Sequence, residues 1–128
     1  MNDSKNPLSP HLQIYRWHIS SLLSITHRIS GVINLIALIS IFFWLTVLSL
    51  GENNYETFLF IVNSFFGKFI LIGFTWSMSF HVLSGIRHLV WDMGYGFEIK
   101  TANFSGIVVI ISSLLLTIIF WLFARGFI

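Results

Sequence analysis

Residues 29–50 read ISGVINLIALISIFFWLTVLSL, a run of Ile, Leu, Val, Phe and Trp that contains no Lys, Arg, Asp or Glu. As an α-helix this run is about 33 Å long, enough to cross the roughly 30 Å hydrocarbon core of a bilayer. The pattern recurs outward from it. The chain carries no charge between Arg28 and Glu52, none between Lys68 and Arg87, and none between Lys100 and Arg125. The sequence therefore predicts an all-α integral membrane protein with three transmembrane helices, over about 29–50, 66–89 and 102–124. These lie in a membrane domain of residues 29–128, preceded by an N-terminal segment of residues 1–28. The second span is the shortest and least purely apolar; the apolar stretch 58–67 ahead of Lys68 either lengthens it or lies at the interface.

Composition agrees. Of 128 residues, 55% are hydrophobic and 9% charged, whereas charged residues alone reach about a quarter in soluble domains. Seven Lys and Arg against five Asp and Glu give a formal +2, too thinly spread to clamp a nucleic acid, which is excluded as a main partner. There is no cysteine, so this chain cannot supply a disulfide, a cysteine zinc site or the ligands of an iron-sulfur cluster. Any redox centre it touches is held by other side chains. The sequence shows no cleavable signal, because the first apolar run starts only after 28 polar or amphipathic residues, and the head is a poor transit peptide. Lys5, Arg16, Arg28, Arg87 and Lys100 fall on one side of the three spans and only Lys68 and Arg125 on the other. The expected orientation puts the N-terminus on the cytoplasmic or matrix side.

An imidazole in hydrocarbon needs a partner and is usually present for a ligand, a proton or a metal. Of the five histidines, His81 lies six residues inside Arg87, about 9 Å deep if Arg87 marks the edge of span II. Gly73, Ser77, His81, Ser84, Gly85 and His88 share an arc of about 120° on that helix. Small residues around two histidines allow a flat bulky group to approach, with His81 toward its centre and His88 toward its polar rim, as for a haem with one axial ligand and a propionate contact. A helix-packing face with a hydrogen-bonded histidine, or a proton relay, fits the same spacing. Two histidines seven apart on one helix cannot grip one iron from both faces, and no other histidine stands clearly at the same depth. His27 precedes Arg28 at the edge, and His11 and His18 lie further out. A haem here takes its second ligand from a partner chain.

At the mouth of span I, Ser20, Ser24, His27, Arg28 and Gly31 form one polar, small face. Ser24 and Arg28 are four apart and suit a quinone head group, whose carbonyls accept hydrogen bonds and gain negative charge on reduction. An interfacial arginine snorkelling to lipid phosphate is the alternative. The connection between spans II and III holds Trp91, Asp92, Gly94, Tyr95 and Gly96, an interface belt with turn residues; Asp92 has Arg87 or a partner's cation as its candidate mate. Glu52 and Glu56 read as solvated loop charges.

Three segments together, Ser9-Pro10-His11-Leu12-Gln13-Ile14-Tyr15, Ser24-Ile25-Thr26-His27-Arg28-Ile29-Ser30-Gly31 and His81-Val82-Leu83-Ser84-Gly85-Ile86-Arg87-His88-Leu89-Val90-Trp91-Asp92, resemble the large cytochrome b subunit of succinate dehydrogenase, respiratory complex II. The resemblance runs over essentially the whole chain, with one departure: the family's pre-membrane segment usually begins Arg-Pro, and here Asn6-Pro7 holds that place. It implies that His81 is the axial ligand of haem b and its iron, with the second ligand supplied by the small hydrophobic anchor subunit. It also implies that Ser24 and Arg28 line the ubiquinone pocket and that His27, Arg28 and His88 lie near the haem propionates.

By this resemblance the chain is a membrane subunit of succinate:ubiquinone oxidoreductase, acting in the respiratory chain and the citric acid cycle from a bacterial inner membrane, or a mitochondrial one if organelle-encoded. Its partners are lipid, the small anchor, an iron-sulfur subunit and a flavoprotein subunit, and succinate oxidation takes place elsewhere in the complex, not here. An anchor of a quinol:fumarate reductase, or a three-span assembly protein without a redox role, are the alternatives.

Overall fold

The computed structural model describes residues 17–126; the segment Ser9 to Tyr15 lies outside them. Four helices follow in order, α1 (Ile19–Ser49), α2 (Glu52–Asn63), α3 (Phe65–Asp92) and α4 (Ile99–Gly126), with no strand among the described residues. Three of them, α1, α3 and α4, are long and apolar enough to cross a membrane. At 31 residues, α1 is about 46 Å long, so it outreaches the hydrocarbon core. It begins ten residues ahead of the uncharged run, and Ser24, His27 and Arg28 therefore stand on the same continuous helix as the apolar residues after them.

The residues between the first two spans form a helix, not a loop. Gly51, at φ 97°, takes the backbone out of α1 in a conformation that favours glycine. The 12 residues of α2 then follow with none of them buried, about 18 Å and too short to cross. Phe58 packs near Phe43 of α1 and Tyr55 of its own helix, at ring separations of 6.1 and 6.5 Å. Ser64 ends α2 and caps α3, its Oγ accepting from the Gly67 N–H at 3.1 Å. A Cβ on Gly67 would run into the Val62 and Ile61 carbonyls, so this corner requires glycine. The stretch 58–67 is thus divided between two helices and does not extend a single one.

The buried apolar core is small: Leu23, Phe80 and Val109, one from each long helix, with Ile19, Trp76, Leu83 and Ile110 against them. Much of the remaining Ile, Leu and Phe faces outward, as expected where the solvent is lipid. Between the helices the contact is made by small residues. Ser77, Ser84 and Ser113 are fully buried, and so very nearly are Ser30, Thr117 and Gly106. Ser113 and Thr117 return their hydroxyl protons to their own helix, at Ile110 and Ser113 carbonyls. That leaves backbones close and these two hydroxyls satisfied, the usual basis of helix association in a bilayer. At Gly106 the approach is closest: a Cβ there would lie 2.5 Å from Leu23 Cδ1 and 3.0 Å from Ile19 Cγ2.

Candidate functional site

Where α1 meets α3, three histidines form one cluster. The rings of His27 and His81 are stacked, centroids 4.0 Å apart and 11° from parallel, and His88 lies 5.1 Å from His27 on its other side. The sequence set His27 at a shallower level than His81; the structure brings them into contact. Two features account for this. α1 continues as helix well ahead of the apolar run, and Arg87 is not an exposed edge marker but a buried residue, 7% exposed, so depth counted from it is misjudged.

Arg87 also does not turn to Asp92. Its Nε donates to Ser105 Oγ at 3.0 Å and its Nη2 to the Ala102 carbonyl at 2.9 Å, while its guanidinium lies 3.9 Å over the Trp91 ring. Trp91 in turn donates to the Gly96 carbonyl at 3.2 Å and meets His88 edge-on at 5.3 Å. The α3–α4 corner is therefore pinned to the same end of the bundle as the histidines.

For two of the rings, His81 and His88, the hydrogen-bond partners indicate which nitrogen carries the proton. Ser30 Oγ donates its single proton to the His27 carbonyl at 2.8 Å, since a carbonyl can only accept. Toward His81 Nδ1, 2.9 Å away, that oxygen must then accept, so Nδ1 carries hydrogen and the neutral ring keeps its lone pair on Nε2. His88 is set the same way, with Nδ1 2.7 Å from the Ser84 carbonyl. Gly31 lets the His81 ring lie against α1; a Cβ there would be 3.3 Å from His81 Cε1.

This donor set fits a haem axial ligand, which needs a neutral imidazole with one free lone pair and the other nitrogen tied by a hydrogen bond. It does not suit a bare metal ion: among the described residues no three His, Cys, Asp or Glu side chains are disposed to hold one. Two buried polar atoms next to the cluster, His27 Nδ1 and Ser84 Oγ, have no partner among the described residues, and burial without one is costly.

The small-residue stripe of α3 divides along its length. Ser77 faces α1, its Oγ 3.1 Å from the Ser30 carbonyl and 2.9 Å from Asn34 Oδ1. Gly73 instead borders an apolar cleft of about 330 Å³ with Phe69, Trp76 and Leu114, about two turns before His81. Packing and a histidine-bearing face thus coexist on one helix. Ser24 is half-buried and Arg28 exposed; neither makes a hydrogen bond among the described residues, so both remain available at the mouth of α1. His18 caps α1 in an exposed position, and His11 lies outside the described residues.

Sequence reasoning passed over Ser30 and Asn34, because a lone Ser or Asn within an apolar run looks like packing. Their roles depend on the register in which α1 crosses α3, and the spacing of residues on one helix does not contain it.

A sequence model of the family described as succinate dehydrogenase/fumarate reductase transmembrane subunit matches residues 2–120. The chain is 46% identical over 118 residues to the succinate dehydrogenase cytochrome b556 subunit of Rickettsia prowazekii, covering 92% of each chain. It is 35% identical over 119 residues to that of Paracoccus denitrificans, covering 93% of this chain and 92% of the other. With the mitochondrial cytochrome b560 subunit of Mus musculus it shares 38% identity over 120 residues, 88% of this chain and 68% of the other.

Proposed function

The chain belongs to the succinate dehydrogenase/fumarate reductase transmembrane subunit family, and from that premise we propose that it holds haem b at His81 and helps to form a ubiquinone-reducing site at Ser24 and Arg28. It is the membrane-anchoring cytochrome b subunit of the enzyme complex, in a bacterial or mitochondrial inner membrane, with its N-terminus on the cytoplasmic or matrix side. Its partners are the small anchor subunit, which would supply the second haem ligand, and the iron-sulfur and flavoprotein subunits. The names of its relatives support the succinate-oxidising direction.

The observation that carries the haem reading is the tie from His81 Nδ1 to Ser30, which leaves Nε2 as the ligating atom. When bound, haem supplies a one-electron store inside the membrane. This chain's residues provide the remainder. His27 lies against the His81 ring and restricts its rotation. His88, with Nδ1–H donating to the Ser84 carbonyl, would meet a propionate through an Nε2–H as an imidazolium, and Arg28 adds a charge at the same level of α1.

For ubiquinone, Ser24 donates a hydrogen bond to a carbonyl. Arg28 stabilises the negative charge that appears on reduction, an interaction stronger in the transition state than in the ground state. The test is a spectrum of the assembled complex: addition of succinate should give the sharp reduced bands of a b-type haem, and ubiquinone should be reduced. A complex that oxidises succinate yet contains no b-type haem would overturn the reading.

A further inference from the structure

Ser30 lies in a stretch where serine ordinarily packs helices, yet it is 2% exposed and forms the link in a three-membered chain. The His81 Nδ1–H donates to Ser30 Oγ, and the Ser30 O–H donates to the carbonyl of His27. The Ser30 carbonyl shares the single hydroxyl proton of Ser77 on α3 with Asn34 Oδ1, so α3 meets the serine at both its hydroxyl and its carbonyl.

We infer that the Ser30 hydroxyl is a positioning residue for His81, selecting the tautomer that presents Nε2 and setting how strongly the ring donates electrons. This rests on the assignment of His81 as haem ligand. A hydrogen bond accepted from Nδ1–H makes an imidazole more basic, and a more basic ligand favours the ferric over the ferrous state. Ser30 therefore holds the haem potential down, accepting from Nδ1–H while its own proton goes to the His27 carbonyl. The other groups facing the ring act differently: His27 by stacking, and Gly31 by leaving space.

The experiment compares Ser30→Ala, Ser30→Thr and Ser30→Cys with wild type in the assembled complex, reading haem content and the midpoint potential of the haem. Ser30→Ala should lower haem affinity by about 10- to 100-fold. In the haem that remains, the ferric preference should fall by up to about tenfold, a rise in potential of up to about 59 mV for one electron. Ser30→Thr retains the hydroxyl and should return the potential to the wild-type value, whereas a purely structural role would leave the slightly larger Thr no better than Ala. Should Ser30→Ala fail to assemble, Ser30→Cys, a weak acceptor of nearly the same shape, should move the potential in the same direction with Thr at the wild-type value. Equal potentials in Thr and Cys variants, or an unchanged potential and haem content in Ala, would overturn the inference. His81→Leu separates the two levels: if it retains haem, the ligand assignment fails, and if it loses haem while Ser30→Ala behaves as wild type, only the role of Ser30 fails.

Discussion

Replacing Arg87 should loosen the α3–α4 corner by an amount that can be worked from its contacts. The guanidinium makes two charge-assisted hydrogen bonds, to Ser105 Oγ and the Ala102 carbonyl, each worth about 1.5 to 3 kcal/mol, and a cation–π contact with Trp91 worth about 0.5 to 2 kcal/mol. Against this gross gain stands the cost of desolvating a guanidinium, several kcal/mol. Arg87→Leu removes both sides of that balance. The groups left behind are not stranded, because Ser105 Oγ also donates to the Ala102 carbonyl at 3.1 Å. The net loss should be about 1 to 3 kcal/mol, which raises local opening roughly five- to 150-fold. The reporters are the amides of Met93, Gly94, Tyr95 and Ala102, bonded to the Leu89, Trp91, Val90 and Glu98 carbonyls, followed by hydrogen exchange in the assembled complex. Arg87→Lys should do no better than Leu, since an ammonium keeps the charge buried but lacks the fork that reaches both acceptors. Unchanged exchange at those four amides in Arg87→Leu, or wild-type exchange in Arg87→Lys, would refute the reasoning.

Ser24→Ala should slow succinate-to-ubiquinone electron transfer by roughly five- to a hundredfold, the equivalent of about 1 to 3 kcal/mol for one hydrogen bond, while succinate oxidation by a soluble dye stays intact. Arg28→Leu should cost more and Arg28→Lys should fall between it and wild type; wild-type rates and Michaelis constants in all three would remove these residues from the quinone site. Gly106→Ala should already lower stability, because its Cβ would lie 2.5 Å from Leu23 Cδ1 and 3.0 Å from Ile19 Cγ2, a methyl fixed on a branched β-carbon. Gly106→Leu should lower the thermal midpoint of the complex through about 1 to 3 kcal/mol of overpacking, since Leu23 is 1% exposed and has no room to retreat; an unshifted midpoint would contradict that close approach.

The three long helices were legible because a bilayer imposes a length and forbids unpaired charge, and uncharged runs bounded by Arg28, Lys68, Arg87, Lys100 and Arg125 report that directly. The helix α2 was not. Glu52 and Glu56 read as loop charges, and 12 residues with every side chain at least partly exposed carry too little burial to leave a strong periodic signal. At the site, residue types suggested His81 and His88 as candidates, and spacing grouped them on one face. The meeting of His27 with His81 was missed because it depends on how far α1 continues past its apolar run, and on Arg87 being satisfied by α4 rather than by water. Ser30 and Asn34 escaped for a related reason: a hydroxyl or amide acquires a role only from the helix opposite it.

The measurement that bears most directly on the account is the reduced-minus-oxidised spectrum of complexes carrying His81→Leu and His88→Leu, taken beside dye-linked succinate oxidation as a control for assembly. With His81 Nε2 as the proposed ligating atom, His81→Leu should abolish or strongly alter the b-type bands. His88→Leu should keep the haem and shift only its potential or retention, if that ring lies at the rim as proposed. Equal loss of haem from both variants, or from neither, with dye-linked oxidation intact, would contradict it.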